Sequence, residues 1–154
     1  MKVKTTGAVA LLSAAILAGT AALHGQGIPP ADSGLRQLVH DYIALYRGDS
    51  LDRWRTLFLP SFTVAFTNAD GSITERNLEQ FVERQRLGFA RSPDQHEVLE
   101  NVRIEPRGSL ASVWADFVFT AAGQPRRGRL VMLCIRDRGA WRIQSLLFSY
   151  QDGG

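Results

Sequence analysis

"GSLASVWADFVFTAAGQPRRGRLVMLCIRDRGAWRIQSLLFSYQ", residues 108–151, decides the fold. It divides into three strand-length apolar segments at two turn-prone breaks, "AAGQPRR" and "DRGA". In the first segment Ala111, Val113, Ala115, Phe117 and Phe119 alternate with a second set that includes Trp114 and Val118. Just upstream, "HEVLENVRIEP", residues 96–106, supplies a fourth segment across the short break "RG". Spacing this short joins sequential antiparallel neighbours. Because the last three segments are apolar on both faces, the sheet needs cover on both sides: helices on one, a second copy of the chain on the other.

Outward toward the N-terminus the pattern becomes helical. After the linker "GIPPADS", with Asp32 or Ser33 as a cap, Leu35, Leu38, Val39, Tyr42, Leu45 and Tyr46 recur at helical spacing, with Tyr42 near the middle of the apolar stripe. Ser50 is positioned to cap a shorter helix that carries Leu51, Trp54, Leu57 and Phe58 as far as Pro60. Phe62, Val64 and Phe66 then alternate as a strand, "NADG" turns the chain, and Thr74 is expected to cap a third helix with Leu78, Phe81 and Val82 on its apolar side. Helices followed by a meander define an α+β layer architecture.

At the start of the chain, Lys2 and Lys4 precede an apolar run from Ala8 to Leu23 and then small residues, the three-part layout of a secretory signal peptide. The expected division is a signal over 1–25, a linker over 26–33 and one domain over 34–152, in a periplasmic or secreted protein, with an uncleaved anchor as the alternative. The formal charge of +3 includes both signal lysines, so the mature chain is close to neutral and nucleic acid is not an expected partner; nor is a membrane after cleavage. Those two lysines are the only ones, which excludes Schiff-base chemistry in the mature chain. Cys134, the sole cysteine, sits in the apolar "LVMLCIR" and reads as an inert core thiol. His40 and His96 do not cluster with carboxylates at ligand spacing, so no metal is expected. With no Gly-rich phosphate loop and no Gly-x-Ser-x-Gly elbow, no cofactor is expected either.

From about Leu35 to Tyr150 the chain resembles the NTF2-like superfamily, in particular its SnoaL-like bacterial members and the ketosteroid-isomerase branch. The phrases that carry the resemblance are "VHDYIALYRGDSLDRWRTLF", "GSLASVWADFVF" and "RGAWRIQSLLFS". It implies a cone, in which three N-terminal helices pack into a strongly curved antiparallel sheet and leave a pocket at the wide end. It also aligns Tyr42 with the tyrosine that donates to the oxyanion in the isomerases. The isomerase carboxylates are missing: Phe66 stands where the base would follow the first strand, and Val131 or a neighbour replaces the second acid. Leu146, Leu147 and Phe148 occupy the place where many relatives carry a histidine.

If the pocket face of the strand is the one bearing Trp114, as the resemblance implies, alternation brings Asp116 and Val118 inward with it. Asp116 then becomes the candidate base and Tyr42 the oxyanion donor, with Trp114, Val118, Arg129, Gln144, Leu146 and Phe148 as lining. In the competing placement Asp116 lies on the wetter face or pairs with an arginine. The expected function is the binding of a small apolar or aromatic molecule by an exported, dimeric domain. Two alternatives stand beside it: a cofactor-independent isomerase, cyclase or dehydratase, and an assembly module with a vestigial pocket.

Overall fold

The computed structural model describes residues 33–151. The segments read as a signal and most of the linker lie outside them. Helix α1 spans Ser33–Ala44 and α2 Leu51–Arg55; β1 (Phe58–Thr67) and β2 (Ile73–Asn77) form a hairpin; α3 spans Leu78–Arg91; and β3 (His96–Arg107), β4 (Leu110–Ala121), β5 (Gln124–Asp137) and β6 (Ala140–Tyr150) form the meander.

One curved sheet results, with strand order β2-β1-β6-β5-β4-β3. Neighbours pair antiparallel except β1 with β6, which run parallel, so the antiparallel expectation fails at that single seam. Register shifts interrupt β1, β3 and the β5–β6 ladder, and such bulges bend strands and increase their twist. At the β3 shift Asn101 takes a left-handed φ of 52°, a conformation asparagine tolerates better than most residues.

The α1 stripe buries Leu35, Leu38, Val39 and Tyr42 as the spacing requires. Trp54 of α2 is fully buried, and its indole N–H donates to the Tyr42 carbonyl at 2.9 Å, tying the two helices together. The cap of α3 is Asn77, not Thr74, which belongs to β2 opposite Phe66. The Asn77 side chain accepts from the Gln80 N–H (2.9 Å) and the Gln80 side chain accepts from the Asn77 N–H (3.1 Å), a reciprocal capping box. Residues 73–77 remain extended because pairing with β1 satisfies their backbone first.

The inner face of the sheet is set by β4. Ala111, Val113, Ala115 and Phe117 are buried against the helices together with Leu130, Met132 and Cys134 of β5 and Ile143 and Leu146 of β6. Burial pushes the Cys134 thiol up to about 12, as an inert core thiol requires. Gly128 of β5 is needed for close approach: a Cβ there would collide with the Phe117 ring and the Ser149 carbonyl.

Candidate functional site

Three elements enclose a cavity at the open end of the cone. Tyr42 comes from the end of α1 and Tyr46 from the segment just after it, Phe81 and Gln85 from α3, and Glu97, Phe117, Phe119, Leu130, Leu146, Phe148 and Tyr150 from the inner sheet face. The inner chamber has a volume of about 80 Å³. It opens past Phe81, Gln85, Phe119, Phe148 and Tyr150 into a vestibule of about 480 Å³. Together they fall within the size range of small-molecule sites.

The chamber's polar groups divide into engaged and free. Gln95 Nε2 donates to the Tyr46 hydroxyl at 3.1 Å, and that hydroxyl donates to Gln85 Oε1 at 2.6 Å, so Tyr46 is committed to the frame. Gly88 permits this, because Gln95 lies where a side chain at 88 would stand, 2.7 Å from a Cβ. Glu97 has no such partner. Desolvation alone raises its pKa from 4.5 to about 8, with no described donor or cation to offset it. The Tyr42 hydroxyl also faces the chamber; burial first and the Glu97 charge second raise its pKa well above the ordinary value, so it stays a hydrogen-bond donor. Burial likewise raises Tyr150, against the lowering effect of Arg126.

Sequence reasoning placed Tyr42, Leu146 and Phe148 in this cavity, and all three line it. The inward placement of Trp114, Asp116 and Val118 is corrected. They lie on the outer face, since the opposite set of β4 packs against the helices. Trp114 is 47% exposed. Asp116 accepts from Asn101 Nδ2 at 2.7 Å and pairs with Arg129 Nε at 3.3 Å, so Arg129 is also an outer-face residue. This is the competing placement of the acid, and it removes Asp116 as a base for the cone. Gln144 is corrected as well: it is the extra residue in β6 at the register shift, bonded to Ser61 through both ends of its amide and not part of the cavity lining. Glu97 was missed. Its signal was modest, a shared strand parity with the apolar Leu99.

An open groove on the outer face, lined by Trp114, Asp116, Arg129, Val131 and Leu147 among others, is larger, at about 660 Å³. Size does not make it the better chemical site, because Asn101, Asp116 and Arg129 satisfy one another there while the chamber leaves its carboxyl unpaired. Among the described residues no cluster of metal ligands occurs and no helix is long and apolar enough to cross a membrane.

A curved sheet wrapped around three helices, with an aromatic chamber at its open end, is the NTF2-like architecture. More narrowly, the profile of the SnoaL-like domain matches residues 31–146, most of the chain, and the protein belongs to that family. Solved structures share the fold at low identity. An NTF2-like protein of unknown function from Shewanella baltica is 16% identical over 77% of this chain and 92% of its own, with a TM-score of 0.61. A candidate dehydratase of the NTF2-like family from Streptomyces avermitilis is 12% identical over 77% and 94%, with a TM-score of 0.63. A candidate aromatic ring hydroxylase from Novosphingobium aromaticivorans is 16% identical over 77% and 87%, with a TM-score of 0.63. No curated protein sequence matches.

Proposed function

We propose that this domain takes a small, largely apolar or aromatic molecule into the cone and that Glu97 exchanges a proton with it. The observation that carries this reading is an unpaired carboxyl on the wall of an aromatic chamber, beside the free hydroxyl of Tyr42. With a pKa of about 8, Glu97 is about one-tenth ionised at pH 7, which leaves both its acid and its base form available. On a carbonyl compound the carboxylate removes a proton from the carbon next to the carbonyl. The C–H electron pair moves into the C–C bond, the carbonyl oxygen gains negative charge, and the Tyr42 O–H donates a hydrogen bond to it. Returning the proton at another carbon completes an isomerisation; expelling a β-hydroxyl, which takes the proton back from Glu97 and leaves as water, completes a dehydration.

The test is solvent deuterium exchange into the α-positions of phenylacetone, followed by NMR. Wild type should accelerate exchange and Glu97→Gln should reduce it to the buffer rate. Equal exchange in wild type and Glu97→Gln would refute a proton-transfer role, and a buffer rate in wild type would reduce the reading to binding alone.

The outer face favours a second copy of the chain. Trp114, Leu133 and Leu147 are each nearly half exposed, and the polar groups among them are already paired, so covering this face strands no charge. Trp114→Glu should convert the dimer to monomer in light scattering; a wild-type monomer at high micromolar concentration would remove the proposal. Export is proposed from the N-terminal pattern, and N-terminal sequencing of the protein from a periplasmic or culture fraction would test it.

A further inference from the structure

The vestibule carries a charge pattern that an apolar ligand alone does not need. Arg76 of β2, Arg84 and Arg91 of α3 and Arg126 of β5 all line it, and no Asp or Glu does. On α3 the spacing 84, 88, 91 follows the helical repeat, so the two arginines flank Gly88 on the stripe facing the opening. None of the four forms an ion pair with a described carboxylate. Two lie over rings: the Arg126 guanidinium carbon is 3.6 Å from the Tyr150 centroid, and that of Arg76 4.9 Å from the Phe66 centroid. Cation–π attraction anchors a guanidinium over a ring and leaves it N–H donors to offer an oxyanion. Arg91 spends only its Nε–H, on the Leu87 carbonyl.

We propose that the mouth of the cone is an anion subsite, and that the ligand is an aromatic or alicyclic carboxylate or phosphate ester bound with its charged group on these arginines and its apolar end toward Glu97. The inference rests on the cone being the ligand site and deepens it by naming the ligand class and its direction of entry. Orientation follows from charge: Glu97 at the inner end repels an anion in its ionised form, while the four cations sit at the outer end.

Titration calorimetry with 2-naphthoate, 2-naphthyl phosphate and the neutral 2-naphthamide separates the possibilities. Wild type should bind at least one of the two anions about tenfold or more tighter than the amide at low salt, with the advantage shrinking as salt is raised. Whichever anion binds more tightly identifies the headgroup. The double variant Arg84→Gln/Arg126→Gln should lose that advantage and keep its affinity for the amide, which also reports that the cone remains folded. Equal affinity of wild type for anions and amide would overturn the subsite while leaving the cone reading intact. An anion preference that survives the double variant would place the charge elsewhere and overturn it too. Failure of all three probes to bind would count against both the subsite and the cone.

Discussion

Glu97→Gln provides the sharpest physical test, because it keeps the shape of the protonated carboxyl and removes only its ability to ionise. The pKa rises from 4.5 to about 8 on folding. At ~1.36 kcal/mol per unit, that gap is worth roughly 4–5 kcal/mol if the chamber excluded water. Glu97 is only partly buried and the chamber opens to the vestibule, so about 2–3 kcal/mol is the realistic figure. The sign follows from proton binding. The folded state holds the proton more tightly, so the stabilisation is complete below about pH 4.5 and is lost as pH rises toward 8. Glutamine has no such dependence. In calorimetric melts from pH 5 to pH 9 the two proteins should melt within a few degrees of each other at pH 5. By pH 9 the variant should lead by about 10 °C, given ~4 °C per kcal/mol for a domain of this size. A difference that stays constant across the range, or a wild type that gains on the variant, would refute the placement of this carboxyl in a desolvated chamber.

Three further outcomes follow. Asn77→Ala removes one half of the α3 capping box and should cost about 1 kcal/mol in denaturant titration, with Gln80→Ala adding little on top of it. Asp116→Asn weakens only exposed contacts, to Arg129 and Asn101, and should change stability by about 1 kcal/mol or less while leaving 2-naphthamide binding unaltered; loss of that binding would revive the inward placement. Gly128→Ala drives a methyl into the Phe117 ring and the Ser149 carbonyl, and a thermal melt should register a loss of about 1–3 kcal/mol.

Helix α1 and the strand at 62–66 were legible because each carries one unambiguous period, and the four-stranded meander because short turn-prone breaks separate its apolar segments. Tyr42 followed from the same stripe. Strand β4 is different: Ala111, Val113, Ala115 and Phe117 compete with Trp114 and Val118, both sets are apolar, and alternation reveals two faces without naming the inner one. Packing against the helices chose the small residues and Phe117, and Asp116 went outward with Trp114. Gln144 was misplaced because a bulge adds a residue to β6 and resets parity after Ile143, and bulges leave little mark on an apolar strand. Glu97 was passed over because a carboxylate near the start of a strand ordinarily faces water. Only the rings around it make it unusual: Tyr42, Phe81, Phe148 and Tyr150 come from α1, α3 and β6, far away along the chain, to join Phe117 and Phe119 of the neighbouring β4.

The parallel seam between β1 and β6 has a kinetic consequence. The strand latest in the chain among those described, β6, is inserted between β1 and β5, in the interior of the sheet. Until residues 140–150 arrive, the β1–β2 hairpin and the β3–β5 meander are separate pieces, each presenting an open hydrogen-bonding edge. Folding therefore waits on one long-range closure, and a product truncated before Ala140 would be expected to self-associate through those two edges rather than settle as a smaller version of the cone.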